Sequence, residues 1–134
     1  MRVLRPALRY GPAWFALGLL IVAGIVVGSL LPISELPDLR MWDKFEHAFS
    51  YVLLAFWYGS IVGRRALLGT FIALIAFGGA MELLQGGMAF GRTADLRDML
   101  ANTTGILIGL LLSRTPLGNW AQRLESLFVP RPSS

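Results

Sequence analysis

The sequence contains no cysteine, a single histidine and few charged residues. Without cysteine the chain cannot form disulfide bonds, thiolate zinc sites or a cysteine nucleophile. Charged side chains make up 15% of the residues, whereas ordinary soluble domains carry about 25%. Hydrophobic residues account for 55% of the chain and the mean hydropathy is +0.63, so a soluble fold would lack the polar surface to cover itself. These values favour a protein of the lipid bilayer.

The net charge of +4 does not indicate a nucleic-acid-binding protein. Such proteins cluster arginine and lysine on one face, whereas the arginines here are dispersed between apolar segments. Basic residues in that arrangement are typical of the loops that orient a membrane protein. The lipid bilayer is therefore the expected partner, and no nucleic-acid partner is expected.

The apolar segments predict an all-α polytopic membrane protein, a bundle of four transmembrane helices that forms one domain over residues 1–134. A spanning helix needs about 20 apolar residues, because the hydrocarbon core is about 30 Å thick. The predicted spans cover approximately residues 12–31, 45–62, 66–88 and 98–113. A signal peptide is the alternative for the first segment, since three arginines precede it. That segment is too long for a signal core and no A-x-A site follows, so a retained helix is expected.

The tail, residues 114–134, contains apolar residues at helical spacing. They are Trp120, Leu124, Leu127 and Phe128, with Arg123 and Glu125 off that stripe. The pattern predicts a short amphipathic helix lying at the membrane surface. A frayed tail is the alternative interpretation.

The basic residues divide unequally between the two sides of a four-span bundle. Eight fall on one side: Arg2, Arg5, Arg9, Arg64, Arg65, Arg114, Arg123 and Arg131. Four fall on the other: Arg40, Lys44, Arg92 and Arg97. Because cytoplasmic loops carry the excess of basic residues, both termini are expected in the cytoplasm, with the chain in a bacterial inner membrane. All the acidic residues except Glu125 sort to the extracytoplasmic end.

Polar residues also share faces of the second, third and fourth predicted helices. The three sets are Asp43, His47 and Tyr51, then Glu82 and Gln85, then Asp95, Asp98 and Asn102. Side chains three, four, seven or eight residues apart lie on one side of a helix. An ionised group at mid-bilayer costs about 2.5–3.5 kcal/mol, so these faces are expected to meet each other. The result would be an acidic pocket with one histidine, open to the extracytoplasmic side.

Three short motifs carry a family resemblance. They are Asp43-Lys44-x-x-His47-x-x-x-Tyr51, Glu82-x-x-Gln85 and Arg92-x-x-Asp95-x-x-Asp98-x-x-x-Asn102-x-x-Gly105. Their order resembles the VanZ-like family of small bacterial membrane proteins, over about residues 31–112. That family is named after an accessory protein for resistance to the glycopeptide teicoplanin. The resemblance implies an envelope setting near cell-wall chemistry and carries over no catalytic residue.

His47 is the strongest single candidate for a functional residue, because it is the only histidine. It could be a metal ligand or general base oriented by Asp43, or a buried hydrogen-bond partner that joins two helices. With Asp43, Glu82 and Asp98 it could supply one nitrogen and several oxygens to a divalent metal. No second histidine or HExxH motif supports that metal site.

The other candidates also have two interpretations. Glu82 could act chemically, or its charge could be compensated by Lys44 or Arg92, or its raised pKa could keep it neutral. Asp98 could cap the fourth helix and Asn102 could bridge helices. Arg92 could bind an anionic head group or pair with Asp95.

Four functions were weighed against this pattern. The first is binding or modifying a lipid-linked cell-wall intermediate, or a glycopeptide, in envelope or antibiotic tolerance. The second is a metal- or proton-dependent enzyme acting on a lipid head group, and the sequence leaves open whether any reaction is catalysed. The third, a proton-coupled transporter, is disfavoured because the cytoplasmic halves of the helices lack ionisable residues. The fourth is an assembly factor or homo-oligomer that uses glycine pairs: Gly24 and Gly28, Gly59 and Gly63, Gly105 and Gly109.

Overall fold

The computed structural model describes the backbone of residues 3–30, 40–87 and 96–128, and the side chains of those residues except 29–30, 40–47 and 85. Its helices are α1 (Gly11–Leu30), α2 (Arg40–Ile61), α3 (Leu67–Gly87), α4 (Leu96–Leu112) and α5 (Trp120–Phe128). Short 3-10 turns, Arg64–Ala66 and Pro116–Asn119, precede α3 and α5. Apart from one isolated antiparallel bridge, all regular structure in these ranges is helical, which confirms the all-α prediction. The main boundary error is in α2, which begins at Arg40 rather than at residue 45.

Helices α2 and α4 run parallel and lie in close contact because glycines line the contact. A Cβ atom added to Gly105 would lie 2.5 Å from the carbonyl oxygen of Ala48, and one on Gly109 would overlap the carbonyl oxygen of Val52. Real β-carbons do not approach backbone oxygen so closely, so only glycine permits this helix spacing. The Gly105 and Gly109 pair therefore permits close packing of two helices within the same chain.

The other two glycine pairs behave differently. Gly59 of α2 packs against the Ser113 side chain, whereas Gly63 lies in the α2–α3 turn. Around Gly24 and Gly28 of α1, no described atom outside the helix lies within 4 Å of the position a Cβ would take. The α1 pair therefore mediates no helix contact within the described part of the chain.

Apolar side chains cover the outside of the bundle while several polar ones lie inside. Large exposed residues occur on α1, α3 and α4, among them Leu20, Leu83 and Leu111. The buried polar residues are Ser60, Glu82, Asn102, Ser113 and Glu125. Soluble domains have the opposite tendency, since buried polar groups and large exposed apolar patches are their exceptions.

Two stretches, Gly11–Gly28 and Arg64–Leu84, are long and apolar enough to cross a membrane. Only 11% and 22% of their residues are buried, whereas the core helix of a soluble protein would be mostly buried. The apolar part of α2, Ala48–Ile61, is shorter. These observations suggest a membrane protein, while four complete spans remain a prediction.

The segment before α1 folds back against two turns at one end of the bundle. The backbone N–H of Arg5 donates to the Ile61 carbonyl at 2.9 Å, and the N–H of Gly63 donates to the Val3 carbonyl at 2.9 Å. The Arg5 side chain donates to the carbonyl of Ser113 at 3.2 Å, beyond the end of α4. We call this the arginine end, defined by Arg5, Arg64 and Arg114.

Helix α5 packs on the same end. The indole ring of Trp120 lies 5.2 Å from that of Trp14 and 4.6 Å from that of Trp57, measured between ring centroids. Ala121 and Glu125 are buried, whereas Leu127 and Phe128 are exposed by 75% and 82%. The tail thus forms the predicted helix with an exposed apolar edge, and its frayed alternative is wrong over Trp120–Phe128.

Candidate functional site

Three of the predicted site residues are buried, one on each of three helices. Tyr51 on α2, Glu82 on α3 and Asn102 on α4 are exposed by only 2%, 6% and 3%. We call these three the polar site. Tyr51 lies ten residues before the last residue of α2, so by the rise per residue the polar site is about 15 Å from the arginine end.

Glycines on both neighbouring helices make room for Tyr51. A Cβ atom on Gly78 of α3 would lie 3.4 Å from the Tyr51 hydroxyl oxygen, and one on Gly105 of α4 would lie 3.3 Å from the Tyr51 Cβ. Gly78 lies one turn before Glu82, and Gly105 lies three residues after Asn102. Residues at those intervals share a helix face, so Glu82 and Asn102 lie on the faces of α3 and α4 that pack against Tyr51.

The polar site combines one carboxylate with a hydroxyl and a primary amide. Glu82 and Tyr51 are close enough to interact electrostatically. Within the described part of the chain, the Tyr51 hydroxyl and both polar atoms of the Asn102 amide have no hydrogen-bond partner. Leaving such a group buried and unpaired costs about 1–3 kcal/mol. The site therefore holds donors and acceptors that the described fold does not use.

Asp98 adjoins the polar site but is not the helix cap that one interpretation predicted. Helix α4 begins at Leu96, so Asp98 lies within its first turn, where a carboxylate favours the positive end of the helix dipole. Its Oδ1 atom is buried and has no hydrogen-bond partner among described residues. Asp98 precedes Asn102 by one turn, so the two residues share a face of α4.

The remaining predicted site residues are not tested. Asp43, Lys44 and His47 lie on α2, and Gln85 lies on α3, but their side chains are outside the described part, as are Arg92 and Asp95 entirely. Among the described residues, no three side chains of His, Cys, Asp or Glu converge as a metal site would require. The divalent metal stays a prediction, since its proposed set includes His47.

Sequence reasoning missed the polar contacts at the arginine end. The Glu125 carboxylate accepts hydrogen bonds from the backbone N–H groups of Arg9 and Tyr10 at 2.7 and 2.9 Å. It accepts a third from the indole nitrogen of Trp14 at 2.8 Å. The sequence did contain an indication of these contacts, because Glu125 is the one acidic residue on the basic side of the predicted bundle.

Comparison of the chain with protein-family models, curated proteins and solved structures finds no match. The function is therefore argued from the chemistry of the polar site. A carboxylate accepts hydrogen bonds, whereas a hydroxyl and a primary amide both donate and accept. Together they suit a ligand that carries hydroxyl and amide groups.

Proposed function

We propose that this chain is a VanZ-like inner-membrane protein whose polar site binds the head group of a lipid-linked envelope compound. One observation carries the proposal: Tyr51, Glu82 and Asn102 are buried inside a bundle whose exterior is apolar, and the Tyr51 hydroxyl and the Asn102 amide have no hydrogen-bond partner among the described residues. An ionisable residue at membrane depth is most often functional. The order of the three sequence motifs supports the family assignment and the envelope setting.

The membrane placement rests on the exterior of the bundle. Leucines such as Leu20 and Leu83 are more than half exposed, which water would penalise at about 25 cal/mol per Å² of apolar surface. In a bilayer the same side chains contact acyl chains. With the arginine end at the cytoplasmic face, as the excess of basic residues favours, the polar site lies toward the extracytoplasmic leaflet.

The chemistry of the polar site limits which chemical groups its ligand can carry. Glu82 would repel a phosphate when ionised, so it is better matched to donor groups such as sugar hydroxyls or amide N–H groups. Asn102 and Tyr51 can then satisfy either donors or acceptors on the same ligand. A lipid-linked cell-wall intermediate presents such groups at this leaflet, and a glycopeptide antibiotic carries them as well.

The test uses two tyrosines of α2 that differ in location. Both Tyr51 and Tyr58 are buried, and both hydroxyls have no hydrogen-bond partner in the described chain. Only Tyr51 lies at the polar site, whereas Tyr58 packs on Phe15 of α1 with ring centroids 5.4 Å apart. Tyr58→Phe is therefore the matched control for Tyr51→Phe.

The variants would be purified in detergent and tested for binding of a lipid-linked cell-wall precursor by native mass spectrometry. Tyr51→Phe and Glu82→Gln are expected to weaken binding about tenfold or more, because each removes a buried hydrogen-bonding or charged group. Tyr58→Phe should bind as the parent does. Equal binding by all four proteins would contradict the proposal.

Two further measurements separate binding from the alternatives. Susceptibility of a Gram-positive host to a glycopeptide should fall when the parent chain or Tyr58→Phe is expressed, but not with Glu82→Gln. The metal content of the purified protein should also be compared with that of His47→Ala and Glu82→Gln. A stoichiometric divalent ion lost in both variants would favour a head-group enzyme over a binding site.

A further inference from the structure

A cavity of about 560 Å³ opens at the arginine end of the bundle. It lies where the segment before α1, the α2–α3 turn and the turn after α4 meet. Arg5, Arg64 and Arg114 line it, together with the neutral polar residues Thr115, Asn119 and Gln122. Its volume is within the range of about 300–1,000 Å³ that is typical of small-molecule sites.

The charge of this cavity is not balanced. None of the described residues that line it is acidic. The buried Glu125 carboxylate accepts its hydrogen bonds from Arg9, Tyr10 and Trp14 instead. Three cations therefore face one space without a counter-charge from its walls.

Among the described residues, two of these arginines are anchored by neutral groups only. Arg5 donates to the carbonyls of Val62 and Ser113 at 3.3 and 3.2 Å, and to the Asn119 side chain at 3.0 Å. Arg114 donates to the carbonyl of Gly59 and to the Ser113 hydroxyl. These bonds fix the positions of the guanidinium groups and leave their charges uncompensated.

Burial and mutual repulsion both disfavour the charged forms of the two anchored arginines. Burial, and then the charge of Arg64, lowers the pKa of Arg5 below its ordinary value. Burial, and then the charges of Arg5 and Arg64, lowers the pKa of Arg114. An anion in the cavity would relieve this repulsion, since opposite charges favour the ionised form.

We propose that the cavity lined by Arg5, Arg64 and Arg114 binds a phosphate group, carried by an anionic phospholipid or by a soluble phosphate ester. Guanidinium groups match phosphate oxygens through paired hydrogen bonds. The volume accommodates the ester substituent besides the phosphate itself. Arg64 is exposed and its side chain makes no hydrogen bond to described residues, so the guanidinium donors are available to the ligand. This site lies away from the polar site and does not depend on the function proposed for it.

Adjacent arginines provide a matched pair of variants. Arg64 and Arg65 are both exposed in the same 3-10 turn, but only Arg64 lines the cavity. Neither has a hydrogen bond in the described structure whose loss would unfold the chain. Arg64→Gln and Arg65→Gln therefore carry the same change in net charge and differ in access to the cavity.

Binding would be measured on the full chain in neutral detergent, with phosphatidylglycerol, diacylglycerol and glycerol 3-phosphate as probes. Phosphatidylglycerol is expected to bind and diacylglycerol, which lacks the phosphate, is not. Arg64→Gln should weaken binding about tenfold or more, the loss expected for one charged hydrogen bond. Arg65→Gln should stay within about twofold of the parent, because Arg65 does not line the cavity.

A phospholipid and a soluble phosphate ester would give different binding results, and either result would support the proposal. Binding of phosphatidylglycerol alone assigns the site to a lipid head group, whereas binding of glycerol 3-phosphate as well extends it to soluble esters. The proposal is overturned if neither binds, if diacylglycerol binds equally well, or if both arginine variants weaken binding to the same extent.

Discussion

Trp14 and Glu125 are 111 residues apart in the sequence, yet the indole nitrogen of Trp14 donates a 2.8 Å hydrogen bond to the Glu125 carboxylate. The same carboxylate accepts the backbone N–H groups of Arg9 and Tyr10, immediately before α1, where the helix dipole favours negative charge. A residue of α5 thus serves as the cap of α1. The bond joins the first and last helices that the structure describes.

Replacing Glu125 by glutamine is expected to destabilise the fold by about 2 kcal/mol, the scale of a hydrogen bond to a charged group. The glutamine carbonyl oxygen can keep the hydrogen bonds from Tyr10 and Trp14. The glutamine NH2 group then faces the backbone N–H of Arg9, and two donors cannot bond to each other. The free energy of unfolding would be measured by titration with denaturing detergent. Arg123→Gln, on the exposed side of the same helix, is the control. Equal stability of the two variants would show that the cap is dispensable.

The contribution of Glu125 should depend on pH. Burial raises its pKa, but the hydrogen bonds from Arg9, Tyr10 and Trp14 outweigh burial and leave the pKa below its ordinary value of 4.5. A lowered pKa means that the folded state prefers the ionised form, so the stabilisation is fully present above pH 4.5 and is lost as the pH falls below it. The difference in unfolding free energy between parent and Glu125→Gln should therefore shrink in acid. A difference that grows on acidification would contradict this sign.

Gly109→Ala is expected to disrupt the contact between α2 and α4. The added methyl group would overlap the backbone of Val52, and overpacking typically costs about 1–3 kcal/mol or more when backbone must move. Gly28→Ala is the control, because its Cβ would meet no described atom within 4 Å. It should be neutral or stabilising by up to about 1 kcal/mol through helix propensity. Comparable unfolding free energies for both variants would refute the close helix contact.

Arg5→Lys should destabilise the arginine end although the charge is kept. Lysine cannot reach Val62, Ser113 and Asn119 at once, as the Arg5 guanidinium does. We expect a loss of about 1–2 kcal/mol, consistent with one or two hydrogen bonds. Arg9→Lys is the control, since the Arg9 guanidinium lies over the Tyr10 ring, 5.9 Å from its centroid, and makes no hydrogen bond to a described residue. If both substitutions changed the free energy of unfolding equally, the charge of Arg5 and not its hydrogen bonds would account for its contribution.

The helices could be predicted from the sequence because apolar runs and helical spacing are local properties. Tyr51, Glu82 and Asn102 could be grouped for the same reason, since each lies on a helix face that carries other polar residues. The close contact of α2 and α4 was also foreseeable, because Gly105 and Gly109 are spaced by one turn. For these features, the spacing of residues along a helix determines both the sequence pattern and the three-dimensional contact.

The contacts at the arginine end could not be predicted, because they depend on where distant segments meet. Glu125 falls off the apolar stripe of the tail, so the pattern indicates an exposed residue. Its burial follows from the packing of Trp120 on Trp14 and Trp57, which no local pattern encodes. Likewise, the unpartnered α1 glycines look the same in the sequence as the packed glycines of α4.

The Glu125 cap also constrains the order of events at the ribosome. Arg9 is synthesised 116 residues before Glu125, which at about 5–20 residues per second takes about 6–23 s. During that interval the backbone N–H groups of Arg9 and Tyr10 have no Glu125 carboxylate to accept their hydrogen bonds. The segment before α1 can therefore gain these bonds only after α5 has emerged.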